Sequence, residues 1–507
     1  MFDKWLNLPA HYYLHLTALS ILMVGLPLSN VLMSIGTIWI FANWLIQGQF
    51  KNKWQRFKQN KALIAISLLY CLLVFSLLWT EDYKYASKDL LNKLPFIAIP
   101  LVMGTIPPLK HKHYVFLLYL FLFSVSFTTI FNYVKYTNEP FFDVRKMSFF
   151  ISHIRLGMLL CLAIFLTFYE IIKGQINRFV LIPVLIWLLY YLYFSQVLIA
   201  YLLLLILCYV TVIYFIKSKK GKIGVLIGTG LMALILLFKA NQTIKTLHQQ
   251  IEIDFDTLDI TTINGNRYFY DQNSTLKENG KLVWIYVCEK ELRKEWYKKS
   301  EKDFDANSQQ VFATLVRFMT SKGLRKDSLG FSKLTDEDIR KVEKGITNSN
   351  QGVVSKLDKI YVDLFTITDN GDPNGHSFYQ RIEHFKTGLH IFYNNWLFGV
   401  GVGDVQLAFD FQYEKEHSKL KKENRHRAHN QILTIGITVG ITGLLLTLFI
   451  LFYPLFNLNI SYPLLITSLT LLIGFLTQDL IETQAGVTLF GVFYGLLNNH
   501  QDYGESR

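Results

Sequence analysis

Residues 429–453 read HNQILTIGITVGITGLLLTLFILFY, a stretch without a single Asp, Glu, Lys or Arg. Lipid offers backbone N–H and C=O groups no partners, so a chain crosses a ~30 Å hydrocarbon layer as a helix of roughly 17–25 apolar residues. This segment reads as such a span. Working outward from it, about twelve such stretches appear, at 11–28, 30–47, 62–79, 94–107, 113–134, 153–172, 179–195, 197–216, 222–239, 429–453, 461–478 and 485–498, the fourth and twelfth being short. The first lacks a basic leader and a small-residue cleavage site, which makes it a membrane helix rather than a removable signal peptide. Composition agrees: the 507 residues are 51% hydrophobic and 15% aromatic with a mean hydropathy of +0.27, which excludes a disordered chain. The four cysteines, Cys71, Cys161, Cys208 and Cys288, stand singly and supply neither a disulfide framework nor a CxxC metal site. The expected fold is an all-α integral membrane protein.

Its formal charge of +13 could suggest a nucleic-acid partner until the charges are located. Every second short loop is basic: 51–61, 110–112, 173–178 and 217–222 hold Lys and Arg with essentially no acids. The alternate loops mix signs, as in Glu81, Asp82 and Asp89 with Lys84, Lys88 and Lys93. Basic loops stay on the cytoplasmic side, so the excess records insertion and implies no nucleic acid. The expected plan is spans over 1–239, an extracytoplasmic segment over 240–428, spans over 429–498 and a cytoplasmic tail at 499–507, with both termini cytoplasmic. The outer segment is nearly charge-balanced and reads as a small, mostly helical domain. Within it, Thr335-Asp336-Glu337-Asp338 fits a capping box opening a helix that ends near Gly345.

Two segments lead from that domain back to the membrane. Ile382, Phe385, Leu389, Phe392 and Trp396 recur at steps of three and four, which predicts an amphipathic helix over 379–397. It either packs on its own domain or lies in the interface at the mouth of a membrane cavity. Gly399-Val400-Gly401-Val402-Gly403-Asp404 follows. Its amides, those of Gly401 and Gly403 above all, could cradle phosphate, although a tight structural turn explains the run as well. The dinucleotide fingerprint fails, because Asp404 and Gln406 stand where a third glycine is needed. Steps of seven, four and three place His429, Gly436, Gly440 and Gly443 on one inward helix face, provided the helix starts near His429.

His429-Asn430, nine residues, then Gly440-Ile441-Thr442-Gly443 meets the pattern H-[N/S/Q]-x(9)-G-x-x-[G/T/Y]. Together with the Arg381-led helix and the large loop before it, this resembles the O-antigen ligase family. The resemblance is specific over about 376–445 and general over the remaining spans; it leaves 245–375 uncovered, a segment read as an acceptor-docking insert. It implies a C-type glycosyltransferase fold of about twelve transmembrane helices with a large periplasmic loop domain, in the bacterial inner membrane. It implies transfer of a glycan from an undecaprenyl-diphosphate-linked donor to a lipid A-core acceptor at the periplasmic face, amid membrane lipids, with no metal and no cofactor. His429 would be the general base. Arg381 and Arg155 would bind the diphosphate, with Arg427, Asn430, Gly401 and Gly403 as further substrate contacts.

There is a departure. Family members commonly place an arginine after a serine at the turn between the seventh and eighth spans, where this chain has Phe194-Ser195-Gln196-Val197. Gln196 stands at that donor contact without a charge, so Arg155, Arg267, Arg425 or Arg427 takes over, or the donor is held differently. Asp479 and Glu482 either orient such an arginine or the acceptor, or form a solvated loop pair. An O-antigen polymerase shares the topology and the undecaprenyl-linked donor, and a protein O-oligosaccharyltransferase is a related alternative, while the His-Asn-x(9)-Gly-x-x-Gly match favours the ligase. A lipid-linked sugar flippase would instead show charges near the bilayer midplane, which these spans almost lack. A metal-dependent nucleotide-sugar transferase would use D-x-D, met by Asp254-Phe255-Asp256, Asp303-Phe304-Asp305 and Asp336-Glu337-Asp338.

Overall fold

The computed structural model describes residues 8–137, 147–174, 178–247, 254–272, 274, 276–349, 373–374, 377–456 and 460–499. In chain order the helices are α1 (Leu8–Leu28), α2 (Asn30–Ile46), α3 (Phe50–Gln59), α4 (Lys61–Phe75), α5 (Tyr83–Thr105), α6 (His111–Thr137), α7 (His153–Lys173), α8 (Arg178–Ser195), α9 (Leu198–Phe215) and α10 (Lys219–Leu247). They continue with α11 (Glu289–Lys299), α12 (Ala306–Ser321), α13 (Ser328–Ser332), α14 (Asp336–Glu343), α15 (Ser377–Asn394), α16 (Val405–Lys415), α17 (Gln431–Phe452), α18 (Tyr462–Thr477) and α19 (Gln484–Asn499). All twelve apolar stretches are helical. Seven of the described helices are long and apolar enough to cross a membrane by themselves, eight if α2 and α3, bent by 116° to one another, form one broken span. α18 and α19 are 16 residues each, and α5 carries Asp89 and Lys93 in its first half.

The chain divides into two compact units, Met1–Tyr133 with Ser148–Tyr214 and Asp369–Arg507, and Val134–Met147 with Phe215–Thr368. α15, α16 and the approach to α17, which fall within the expected 240–428 segment, cluster in the first unit. The amphipathic stripe explains why, since α15 lays Phe392 over Gly436 of α17, where a Cβ would stand 3.1 Å from the ring. In the first unit, Ser29, Asn60 and Asp82 cap α2, α4 and α5 with their side chains. α5 and α19 pack closely, with Phe96 stacked on Phe490 at 4.7 Å between ring centres and Gly491 against the Pro95 carbonyl. Met158 of α7 fills the space beside Gly474 of α18, which ties the start of α7 to the end of α18.

The second unit contains α10 and a small fold of its own. α11 to α14 and a two-stranded hairpin, β1 (Lys277–Glu278) and β2 (Lys281–Leu282), enclose a core that includes Trp296, Phe304, Leu315, Phe318 and Phe331. The capping box forms as read: Thr335 accepts the Asp338 N–H while the Asp338 carboxylate accepts the Thr335 N–H. Gly345 follows in the left-handed region, at φ 76°.

Candidate active site

The chain approaches α17 through His426, Arg427, Ala428 and His429. Tyr413 of α16 donates its hydroxyl to the His426 carbonyl at 2.8 Å, and Asn430 caps α17 by accepting the Leu433 N–H at 3.0 Å. His429 itself is left-handed, at φ 50°. It precedes the helix and does not lie on its face, so the expected alignment with Gly436, Gly440 and Gly443 does not form. A non-glycine residue in this region costs of order 1–3 kcal/mol and persists where neighbours fix it. Asp479 does so: one carboxylate oxygen accepts the His429 N–H at 3.0 Å and the other the Thr434 hydroxyl at 2.6 Å.

Three imidazoles gather here, with ring centres 5.3 Å apart for His384 and His429, 5.6 Å for His384 and His426, and 6.0 Å for His426 and His429. His384 of α15 is fully buried and donates Nε2–H to the Asn424 carbonyl at 3.1 Å. Burial, then Arg381 and His426, lower the His429 pKa to about 4; burial, then His429, His426 and Arg381, lower that of His384 to about 3. Both rings are therefore neutral at pH 7. Among the described residues no set of three His, Cys, Asp or Glu side chains is arranged to hold a metal ion.

Arg381, one turn before His384, makes a single long bond among the described residues, from Nη1 to the Thr477 carbonyl at 3.4 Å. Burial pulls its pKa down and Asp479 pushes it back up. Most of its five donors are thus available to an anion. Arg155, two residues into α7, is half-buried with no hydrogen bond or ion pair among the described residues. It lies at the same end of the unit, because Met158, one turn on, packs against Gly474, and Gly474 is one turn from Thr477. Gln196 occupies the turn between α8 and α9 at φ 50°, and Gly157 of α7 packs against Val197 just beyond it.

The other expected contacts serve the framework. Arg427 donates to Glu482 at 2.6 Å and to the Tyr85 hydroxyl. Lys93 joins Glu482 at 2.8 Å and Asp89 at 2.5 Å, and Gln431 donates to the second Glu482 oxygen at 3.0 Å. Burial pushes the Glu482 pKa up, but Lys93 and Arg427 outweigh it and bring it to about 2. The reading of Asp479 and Glu482 as a solvated pair is thereby corrected, since both are largely buried and bonded. Asn430 spends its amide N–H on the Leu476 carbonyl at 3.2 Å. Arg425 bonds the Leu420 carbonyl and stacks over Tyr413, and Arg267 is exposed on the second unit.

The glycine run is also a structural device. The Gly401 N–H goes to the Thr438 carbonyl at 3.0 Å and the Gly403 N–H to Thr80 Oγ1 at 3.2 Å, so neither amide is left for a phosphate. α17 is broken at Val439 and Gly440, the latter at φ 71°. The carbonyls freed by that break accept from the turn, the Ile437 carbonyl taking the Val400 N–H at 2.8 Å, while the Ile441 N–H donates to the Trp396 carbonyl at 2.7 Å. A Cβ on Gly440 would meet the Leu397 carbonyl oxygen at 2.2 Å. The first glycine of the G-x-x-G pattern is thus the seat on which the turn after α15 docks. The D-x-D pairs are spent locally: Asp305 pairs with Arg293, Asp303 accepts from Tyr297, Asp254 caps its own turn and Asp338 completes the capping box.

Sequence reasoning missed His384, His426, Lys93, Asp89 and Tyr85. Asp89 and Lys93, four residues apart next to an apolar run, were the available signal, since such charges stay buried only when paired. His384 offered none beyond its place on α15. No curated protein matches this chain. One family model does, over residues 343–448, a segment holding Arg381, the glycine turn, His429 and the break at Gly440. That model describes the O-antigen ligase family, to which the chain is similar over this segment.

Proposed function

We propose that this chain is a metal-independent glycosyltransferase that moves a glycan from an undecaprenyl-diphosphate-linked donor to a sugar hydroxyl of a lipid A-core acceptor, at the periplasmic face of the bacterial inner membrane. What supports this most is one juxtaposition within the matched segment: a neutral imidazole, His429, beside a guanidinium with unused donors, Arg381. The acceptor oxygen attacks the anomeric carbon, the bond from that carbon to the diphosphate oxygen breaks, and the hydroxyl proton passes to His429. Undecaprenyl diphosphate leaves with the bonding pair, its added charge met by Arg381 and Arg155. A base at about pKa 4 is weak, but the incoming diphosphate offsets Arg381 and raises imidazole basicity in the complex. His429 keeps 30% of its side chain exposed, enough to be reached.

The test is transfer in proteoliposomes holding the purified chain and a defined donor, with three acceptors offered separately. Lipid A-core should be glycosylated. Longer donor-linked chains without core transfer would make the protein a polymerase, and labelled serine or threonine peptides an oligosaccharyltransferase. Movement of donor between leaflets without any transfer would leave only the flippase.

A further inference from the structure

Asp479 holds the backbone of His429, and its geometry gives it a definite task. Both of its oxygens are fixed, by the Thr434 hydroxyl at 2.6 Å and the His429 N–H at 3.0 Å, so the carboxylate has little freedom to turn. The oxygen that holds the His429 backbone also faces Nδ1 of the same residue at 3.9 Å. That is longer than a hydrogen bond, yet short enough that a small ring rotation closes it, and catalytic contacts commonly tighten only once substrate is bound. Asp479 makes no ion pair with Arg381 among the described residues, although its charge reaches it. The groups facing the imidazole are thus two further histidines, His384 and His426, the cation Arg381, and one carboxylate. Of these the carboxylate, 3.9 Å from Nδ1, is the acceptor that gains from a charged imidazole, whereas His384, its Nε2–H given to the Asn424 carbonyl, offers only the lone pair of a neutral Nδ1.

We infer that Asp479 is the positioning residue of the base: it holds His429 as the Nδ1–H tautomer, which leaves the Nε2 lone pair to take the acceptor's proton. This rests on His429 being the base. On transfer the proton moves from the acceptor hydroxyl to Nε2, the imidazolium then has N–H bonds on both nitrogens, and the carboxylate stabilises it without taking a proton. The left-handed backbone at His429 fits the same task, since it is the Asp479 bond to the His429 N–H that brings ring and carboxylate to the same side of the chain.

The experiment has two arms. In the first, ¹⁵N spectra of histidine-labelled wild-type protein, with the His429 signals assigned by their loss in H429Q, should show Nδ1 protonated and Nε2 bare at pH 7.5. A dominant Nε2–H tautomer overturns the proposal and leaves the base assignment standing. In the second, D479N should lower kcat on the order of a hundredfold or more, leave the donor KM within about threefold, and move the tautomer signal. T434V, which frees the carboxylate without removing it, should show a smaller loss of the same kind. Equal losses in kcat and in folded protein, or a rise in KM alone, would assign Asp479 to structure or to Arg381. If D479N does not fold, the wild-type spectrum and T434V decide. Undiminished transfer by H429A would instead bring down the reading beneath the proposal, so the two failures are distinguishable.

Discussion

Asp479 and Glu482 lie three residues apart in one short connection between α18 and α19, yet their surroundings push their pKa values in opposite directions. Glu482 is enclosed by two cations, Lys93 and Arg427, and stays ionised down to about pH 2. Asp479 has a hydroxyl and a backbone N–H for partners, and burial with Glu482 nearby lifts it to about 6. The difference is one of partner charge, not of depth. A fully paired acid can only hold segments together, here α5, the approach to α17 and the connection itself. An acid left with neutral partners retains an electrostatic demand that a neighbouring imidazole can meet when it becomes charged.

Removing Glu482 breaks the comparison most severely. E482A leaves Arg427 buried without a carboxylate and Lys93 with Asp89 alone, which should cost about 3–5 kcal/mol and shows as a large drop in the unfolding temperature of detergent-purified protein. The same substitution should abolish transfer only through that loss of fold, so activity per folded molecule in the surviving fraction is the informative number. A smaller effect is expected on the other side of the site. R381K keeps one charge but loses the planar fork, and should raise the donor KM about tenfold with a lesser change in kcat. An unchanged KM would move the diphosphate contact to Arg155.

The gentlest test uses pH. His384 and His429 take up protons in the folded protein only at about 3 and about 4, whereas in the unfolded chain they do so near the ordinary 6.5. The unfolded state binds more protons in between, so stability is fully present above about pH 6.5 and falls as the pH is lowered towards 4. Asp479 works in the opposite direction, since its folded form protonates first, at about 6. Two histidines outweigh one carboxylate. The unfolding temperature should therefore drop between pH 7 and pH 5, and drop less in H384Q.

Much of this was legible in the chain and some could not have been. Apolar length located the helices that are long and apolar enough to cross a membrane, and the capping box at Thr335 is a local code read over four residues. The amphipathic stripe of α15 and the catalytic candidates Arg381 and His429 also follow from short-range pattern. The break in α17 does not, because Gly440 in an apolar run reads as close helix packing until the Leu397 carbonyl is seen against it. The pairing of Lys93 with Glu482 joins residues 389 positions apart, a separation no periodicity carries. Glycines 401 and 403 show the converse hazard: a run that could bind phosphate is silent about whether its amides are already occupied.

The proposed transfer depends on His429 as the base. Single-turnover transfer from an undecaprenyl-diphosphate donor to lipid A-core, compared between wild-type protein and H429Q at matched folded concentration, tests it most directly. The rate should fall on the order of a thousandfold while donor binding is retained. A rate within a few-fold of wild type would contradict it.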